Sequence, residues 1–198
     1  MIKRIFDIFF SLILIFFLFP IYLIVALWIK IDSSGPILFR QNRVGINGKI
    51  FRINKFRTMF ICPNQDLQKI TSKSDSRITS AGKFLRKFKV DELPQLINVL
   101  FGEMSFVGPR PEVEKFVKSY SNEERKIIFS VKPGITDDAS IEFRNEENIL
   151  GDQENIEEIY MLEVLPRKKV LHIKYVQERS FTKDLIIIWK TILVVIKG

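Results

Sequence analysis

Residues 91–111 read DELPQLINVLFGEMSFVGPRP, so two adjacent carboxylates, Asp91 and Glu92, open a short apolar-periodic stretch that a Gly-Pro-Arg-Pro loop closes. Paired carboxylates can serve as nucleophile, as general acid or base, or as ligands for a hard cation such as magnesium. Arg110 stands between Pro109 and Pro111, whose rings fix the backbone, and its guanidinium can bind a phosphate through two nitrogens. Carboxylates and cations in this order suit chemistry on a phosphorylated substrate.

Leu93, Leu96, Ile97, Leu100 and Phe101 fall at i, i+3, i+4, i+7 and i+8, which predicts a helix packing that stripe on a core. Asp91 and Glu92 then occupy its first turn, where Asp is a good N-cap, an anion is favoured and Pro94 is tolerated. The competing reading is a capped structural helix with no chemistry.

The remaining composition narrows the options. Cys62 is the only cysteine, so the chain has no internal disulfide and no thiolate cluster. His172 is the only histidine, lies far along the chain in a basic amphipathic stretch, and reads as structural. The net charge is +8, yet residues 137–163 hold ten acids against the single Arg144, which leaves the rest strongly basic. Such a body suits anionic partners: phospholipid headgroups or a phosphorylated substrate. The acidic cluster and the lack of a basic strand interleaved with aromatics argue against nucleic acid.

Ile8 to Ile29 is 22 residues without a charge. As a helix it covers about 33 Å, enough for a bilayer core. Pro20 falls inside it, and cations flank both ends (Lys3 and Arg4, then Lys30), so both flanks read as cytoplasmic. A re-entrant helix kinked at Pro20 satisfies these features; a simple transmembrane helix is the alternative. Residues 1–30 are thus expected to be membrane-embedded and residues 31–198 to form one cytosolic catalytic domain.

That domain reads as α-rich α+β. Strands are expected at Ile37–Gln41 and Lys49–Met59 around the turn Gly45–Gly48, making a small β-hairpin. A polar loop follows at Cys62–Asp75, then a helix at Thr79–Lys89 with Phe84, Leu85 and Phe88 inward. Ser121 and Glu124 have capping-box spacing, and further helices are expected at Asn155–Leu165, Pro166–Glu178 and Thr182–Lys197. The last is either an interfacial amphipathic helix, with Trp189 at headgroup depth, or a buried core helix.

Lys55-Phe56-Arg57-Thr58-Met59, then residues 91–111, then Lys132-Pro133-Gly134-Ile135-Thr136 follow the order and spacing found in the bacterial sugar transferase family, the monotopic polyprenyl-phosphate phosphoglycosyl transferases. The chain resembles a minimal member over nearly its whole length, from Lys3-Arg4-Ile5-Phe6-Asp7 and Ser11 to Tyr175-Val176 and Ser180-Phe181. The resemblance implies a two-step reaction at the cytosolic face of the bacterial inner membrane. Asp91 attacks a UDP-sugar, UMP leaves, and a polyprenyl phosphate collects the phosphosugar from the aspartyl intermediate. It further implies that Glu92 binds magnesium and that Arg110, Arg86, Lys55, Arg57 and Arg144 surround the substrate phosphates.

Two departures stand out. Phe19 rather than serine precedes Pro20, and Asp137-Asp138-Ala139-Ser140 replaces the glycine-containing run common in relatives, a region expected to shape the sugar pocket. Two other functions fit the same residues. A membrane-anchored magnesium-dependent phosphohydrolase or single-displacement transferase would use the same carboxylates, and a nonenzymatic basic membrane adaptor would use neither.

Overall fold

Ile2–Asp32 forms one helix, α1, of 31 residues with Pro20 inside it, about 46 Å long at 1.5 Å per residue. The computed structural model describes residues 1–61, 75–151 and 155–197. The loop expected at residues 62–75 lies almost wholly outside them. By length and composition α1 could cross a membrane, and most of its apolar surface is uncovered, Phe16, Phe17, Ile24 and Leu27 among the exposed side chains.

The other face of α1 is tied to the body at both ends. Near the start, Lys3 Nζ donates to Val107 O (2.8 Å) and pairs with Asp184 (2.5 Å), while Arg4 caps the carbonyls of Val99 and Leu100. Asp7 Oδ1 accepts from Ser105 Oγ and the Phe106 amide. Near the end, Tyr22 Oη donates to Leu93 O at 2.7 Å, and Val25 and Ile29 pack with Phe56 and Leu85.

β1 (Leu38–Val44) and β2 (Ile50–Phe56) form the expected antiparallel hairpin, Gln41 opposite Ile53. Its turn is a single 3₁₀ turn in which Asn47 takes a positive φ of 55°, a conformation asparagine tolerates better than most residues. β2 stops at Phe56, short of the expected Met59, which instead forms an isolated bridge with Ile78. Lys55 shares the strand face of Phe51 and Ile53, the face turned to the core.

α2 (Ser80–Lys87) is capped by Thr79, whose hydroxyl accepts from the Gly82 amide. Leu85 is buried as expected, whereas Phe84 and Phe88 are not. Those two rings lie on the outside, Phe84 against Trp28 of α1 at 5.3 Å and Phe88 against Phe84 at 4.7 Å. They extend the uncovered apolar surface of α1 onto the body.

α3 (Gln95–Phe101) also turns differently from the expected stripe. Gln95, Leu96, Asn98 and Val99 are buried, and Phe101 is 75% exposed. Asn98 explains the rotation, because its side chain accepts from the Asn54 amide and donates to Arg52 O, fastening α3 to β2. Glycine in the left-handed region at Gly102 ends the helix.

β3 (Ser105–Val107) and β4 (Gly134–Thr136) form a second, parallel pair that the sequence pattern did not announce. Between them lie α4 (Glu114–Val117) and α5 (Asn122–Ile128), the latter opened by the expected Ser121–Glu124 capping box. After β4 come α6 (Asp138–Glu142), α7 (Glu146–Leu150) and α8 (Ile156–Ile159). A π-turn at Tyr160–Val164 leads straight into α9 (Leu165–Glu178), so the two helices expected around Pro166 are one rod. The wider turn absorbs the missing amide and the ring of Pro166, which would break an ideal helix.

α10 (Phe181–Lys197) buries Asp184 and Ile187 against the body and leaves Ile186, Trp189 and Ile196 uncovered. It is therefore neither fully buried nor fully free.

Candidate active site

Asp91 and Glu92 do not sit in the first turn of α3. They occupy their own 3₁₀ turn, Val90–Glu92, and Pro94 is the N-cap of α3. Lys89, just before the turn, holds φ at +56°, a conformation that costs a residue with a side chain and that the surroundings must enforce. The electrostatics of the pair consequently come from side chains rather than from a helix end.

Glu92 is the hub. Its Oε1 accepts from Lys55 Nζ at 2.9 Å and from Arg110 Nη2, and its Oε2 accepts from Arg110 Nη1 at 3.1 Å, a two-pronged clasp. Burial pushes the Glu92 carboxyl upward, but Arg110 and Lys55 outweigh it and hold it well below the usual carboxylate range. Asp91 behaves oppositely. Burial raises its carboxyl above the ordinary value, with Lys55 pulling down and Glu92 adding to the rise. Asp91 Oδ1 is buried without a hydrogen-bond partner. A buried carboxyl oxygen left without a partner is a candidate for a reactive or ligand-binding group.

The loop carrying Arg110 is held by backbone contacts. Gly108 N donates to Thr136 O and Gly134 N donates to Pro109 O, both at 3.1 Å. A Cβ on Gly134 would come within 2.1 Å of Gly108 N, so the Gly-Pro-Arg-Pro and Lys-Pro-Gly motifs need glycine where they cross.

A cleft of about 1040 Å³ holds these groups. It is lined by Leu14 and Leu18 of α1 at one part, by Lys55, Arg86, Asp91, Glu92 and Arg110, and further on by Arg144, Lys168, His172 and Thr191. One continuous space thus joins an apolar helix to a cluster of charges.

Of the phosphate-binding candidates, Arg110 and Lys55 meet at Glu92, and Arg86 lines the cleft and contributes to lowering the Asp91 carboxyl. Arg144 lines the cleft while its Nη1 donates to Val194 O of α10. Arg57 is different. It donates to Ser34 O (2.6 Å), Ser33 O (2.7 Å) and Ser33 Oγ (2.8 Å), closing the end of α1 rather than offering its fork to a phosphate. The carbonyls a helix leaves unpaired at its C-terminus explain that placement.

His172 is fully buried with Nε2 3.0 Å from Asp137 Oδ2, pinning α9 to the start of α6. Sequence reasoning missed Arg43, Glu112, Tyr160 and Lys168, which surround the far side of the Arg110 loop. Only the position of Glu112 directly after Pro111 hinted at it.

Among the described residues no group of three or more His, Cys, Asp or Glu could hold a metal. The pair still fits magnesium, which needs one or two carboxylates when substrate oxygens and water complete its shell. Three donors use three of the roughly four lone-pair sites of Glu92, and Asp91 adds its orphaned Oδ1.

A helix long and apolar enough to cross a membrane thus lies against a cleft lined with charged side chains. The chain belongs to the bacterial sugar transferase family, whose profile matches residues 1–198. It is 39% identical to an undecaprenyl-phosphate glucose phosphotransferase of Komagataeibacter xylinus, over 96% of this chain and 35% of the relative. It is 36% identical to a UDP-N-acetylgalactosamine-undecaprenyl-phosphate N-acetylgalactosaminephosphotransferase of Aeromonas hydrophila, over 100% of this chain and 44% of the relative. With a UDP-glucose:undecaprenyl-phosphate glucose-1-phosphate transferase of Caulobacter vibrioides it shares 35% identity over 96% of this chain and 68% of that protein. The chain thus spans 35% and 44% of the length of the first two.

Proposed function

We propose that this protein moves a sugar 1-phosphate from a UDP-sugar to undecaprenyl phosphate through a covalent intermediate on Asp91. The observation that carries the reading is the orphaned, buried oxygen of Asp91 beside a Glu92 clasped by Arg110 and Lys55, in a cleft that reaches α1. An Asp91 oxygen attacks the β-phosphorus, the bond to the bridging oxygen breaks, and UMP leaves with that oxygen. An oxygen of the lipid phosphate then attacks the same phosphorus and frees the Asp91 carboxylate. Phosphoryl transfer depends mainly on alignment and on charge stabilisation, which a preset cationic cluster supplies. Magnesium held by Glu92 and the diphosphate would neutralise part of the charge. Arg110 and Lys55 then grip the donor phosphates, and Leu14 and Leu18 mark the side from which a lipid acceptor enters.

The relatives' names cover both glucose and N-acetylgalactosamine, so the donor test is a panel. UMP release from one UDP-sugar, with turnover on adding undecaprenyl phosphate and magnesium, supports the transferase reading. Release that continues as free sugar phosphate without lipid would make the protein a hydrolase instead.

The contacts of α1 support a membrane placement. Side chains from Lys3 to Ile29 touch one body, which a helix crossing to the far side of a bilayer cannot do at both ends. We therefore read residues 1–30 as re-entrant from the cytosolic face of the inner membrane. Phe84, Phe88 and Trp28 with Lys83 and Lys87, and the open side of α10, rest among the headgroups. In a Cys62→Ser background, single cysteines at positions 2 and 33 are expected to react with an impermeant thiol reagent only in inverted vesicles. Labelling of position 2 from the periplasmic side would mean a spanning helix.

A further inference from the structure

The Arg110 loop is fastened on the side away from Glu92 by a chain of buried polar groups that the proposed chemistry does not use. Glu112 follows Pro111, and its carboxylate accepts from Tyr160 Oη at 2.6 Å and lies 3.8 Å from Arg43 Nη1. Arg43 Nη1 donates to Pro111 O at 3.0 Å, and the Val44 amide donates to Glu112 O at the same distance. β1 therefore holds both carbonyls that follow Arg110. Behind Tyr160, Lys168 Nζ lies 3.5 Å from its hydroxyl and 2.5 Å from Glu146.

These groups are deeply covered, Glu112 at 7%, Lys168 at 6% and Tyr160 at 3% exposure. Burying ions costs so much solvation that well-packed apolar side chains of similar size would serve stability as well or better. What hydrogen bonds and ion pairs on one segment add is a single arrangement of that segment. The segment here is the one bearing Arg110.

We infer that Glu112, braced by Arg43 and Tyr160, is a positioning residue that fixes the Arg110 loop in the geometry needed to grip a diphosphate. Arg110, already clasped to Glu92, then does not have to be ordered when the donor arrives, and the N–H groups it does not spend on Glu92 meet the diphosphate in place. The assignment of the anion rests on the proposed function; the fixing of the loop does not.

Glu112→Gln tests this, because the amide keeps the shape and can still accept from Tyr160 while losing the charge that faces Arg43 and Lys168. The expected result is a roughly tenfold to hundredfold fall in kcat for UMP release. In an Arg110→Lys background the same change should cost no more than about twofold further, since both act through one contact. Hydrogen exchange in the ligand-free protein gives a readout free of activity: the amides of Val44, which donates to Glu112 O, and Gly134, which donates to Pro109 O, should exchange faster in the variant, with residues 121–128 unchanged. Tyr160→Phe, a smaller change, should move the same two amides less. An equal loss of kcat in both backgrounds, or unchanged exchange of those amides, would reduce Glu112 to a structural residue and overturn the inference. Faster exchange of the two amides in a protein that turns over no UDP-sugar would leave the inference standing and the proposed function overturned.

Discussion

Asp91→Asn is expected to abolish sugar-phosphate transfer, by a factor on the order of 10⁴ or more, while leaving the fold intact. The amide has the size of the carboxylate but no charge with which to attack phosphorus. Stability should move the other way. Burial raises the Asp91 carboxyl above its ordinary value, so the folded protein holds that proton to higher pH than the unfolded chain does. A group shifted in that direction destabilises the folded state as it ionises. Its cost is absent below the ordinary aspartate range and fully present above the folded-state value. At neutral pH the variant therefore melts at the same temperature as the wild type or higher. Thermal denaturation in detergent, run beside the UMP assay, separates this outcome from an inactive variant that has merely unfolded.

Arg110→Ala should have the second-largest effect. It removes both nitrogens that clasp Glu92 and, on the proposed function, a cation that grips the diphosphate, so turnover should fall on the order of 10³-fold. Lys55 alone would then neutralise a deeply covered Glu92. Breaking a buried pair costs several kcal/mol, but the Arg110 side chain is 28% exposed, so about 1–3 kcal/mol is the fitting range. The pH dependence identifies the cause. Arg110 and Lys55 hold the Glu92 carboxyl well below its ordinary value, so the pair stabilises the fold above the ordinary glutamate range, and that stabilisation fades as pH falls through the folded-state value. Melting temperatures of the variant and the wild type should differ most at neutral pH and converge in acid. A constant gap across pH would mean that packing, and not the ion pair, was lost. Arg110→Lys keeps the charge without the fork and should fall between the two.

How much of this the sequence carried depended on how local the signal was. Asp91, Glu92 and Arg110 lie within 20 residues of one another, in a stretch dense with proline and glycine, and the structure brings Arg110 and Lys55 together on Glu92. The hairpin and the Ser121–Glu124 cap were equally legible, because turn and cap chemistry is written in neighbouring residues. The parallel pair of β3 and β4 was not, since strands of three residues carry no readable period and their partners are 29 residues apart. Arg57 went the same way. Its motif marks it as a phosphate ligand, but the carbonyls it satisfies belong to Ser33 and Ser34, which only folding brings near. Phe84 and Phe88 were expected inward because apolar residues in a helix normally seek the core. Beside α1 the outward rings find apolar partners in Trp28 and in each other, so the usual rule for a helix face loses its direction. The bracing of Glu112 by Tyr160, 48 residues away, left no trace in the local pattern.

The covalent step on Asp91 is the centre of the account, and the mass of the intact protein tests it most directly. Protein incubated with magnesium and its UDP-sugar, but no lipid acceptor, should gain the mass of one sugar phosphate as one equivalent of UMP appears. Undecaprenyl phosphate should remove the added mass, and Asp91→Asn should never acquire it. Full turnover with no adduct at any time, or an adduct that persists in Asp91→Asn, would contradict the assignment of Asp91 as the nucleophile.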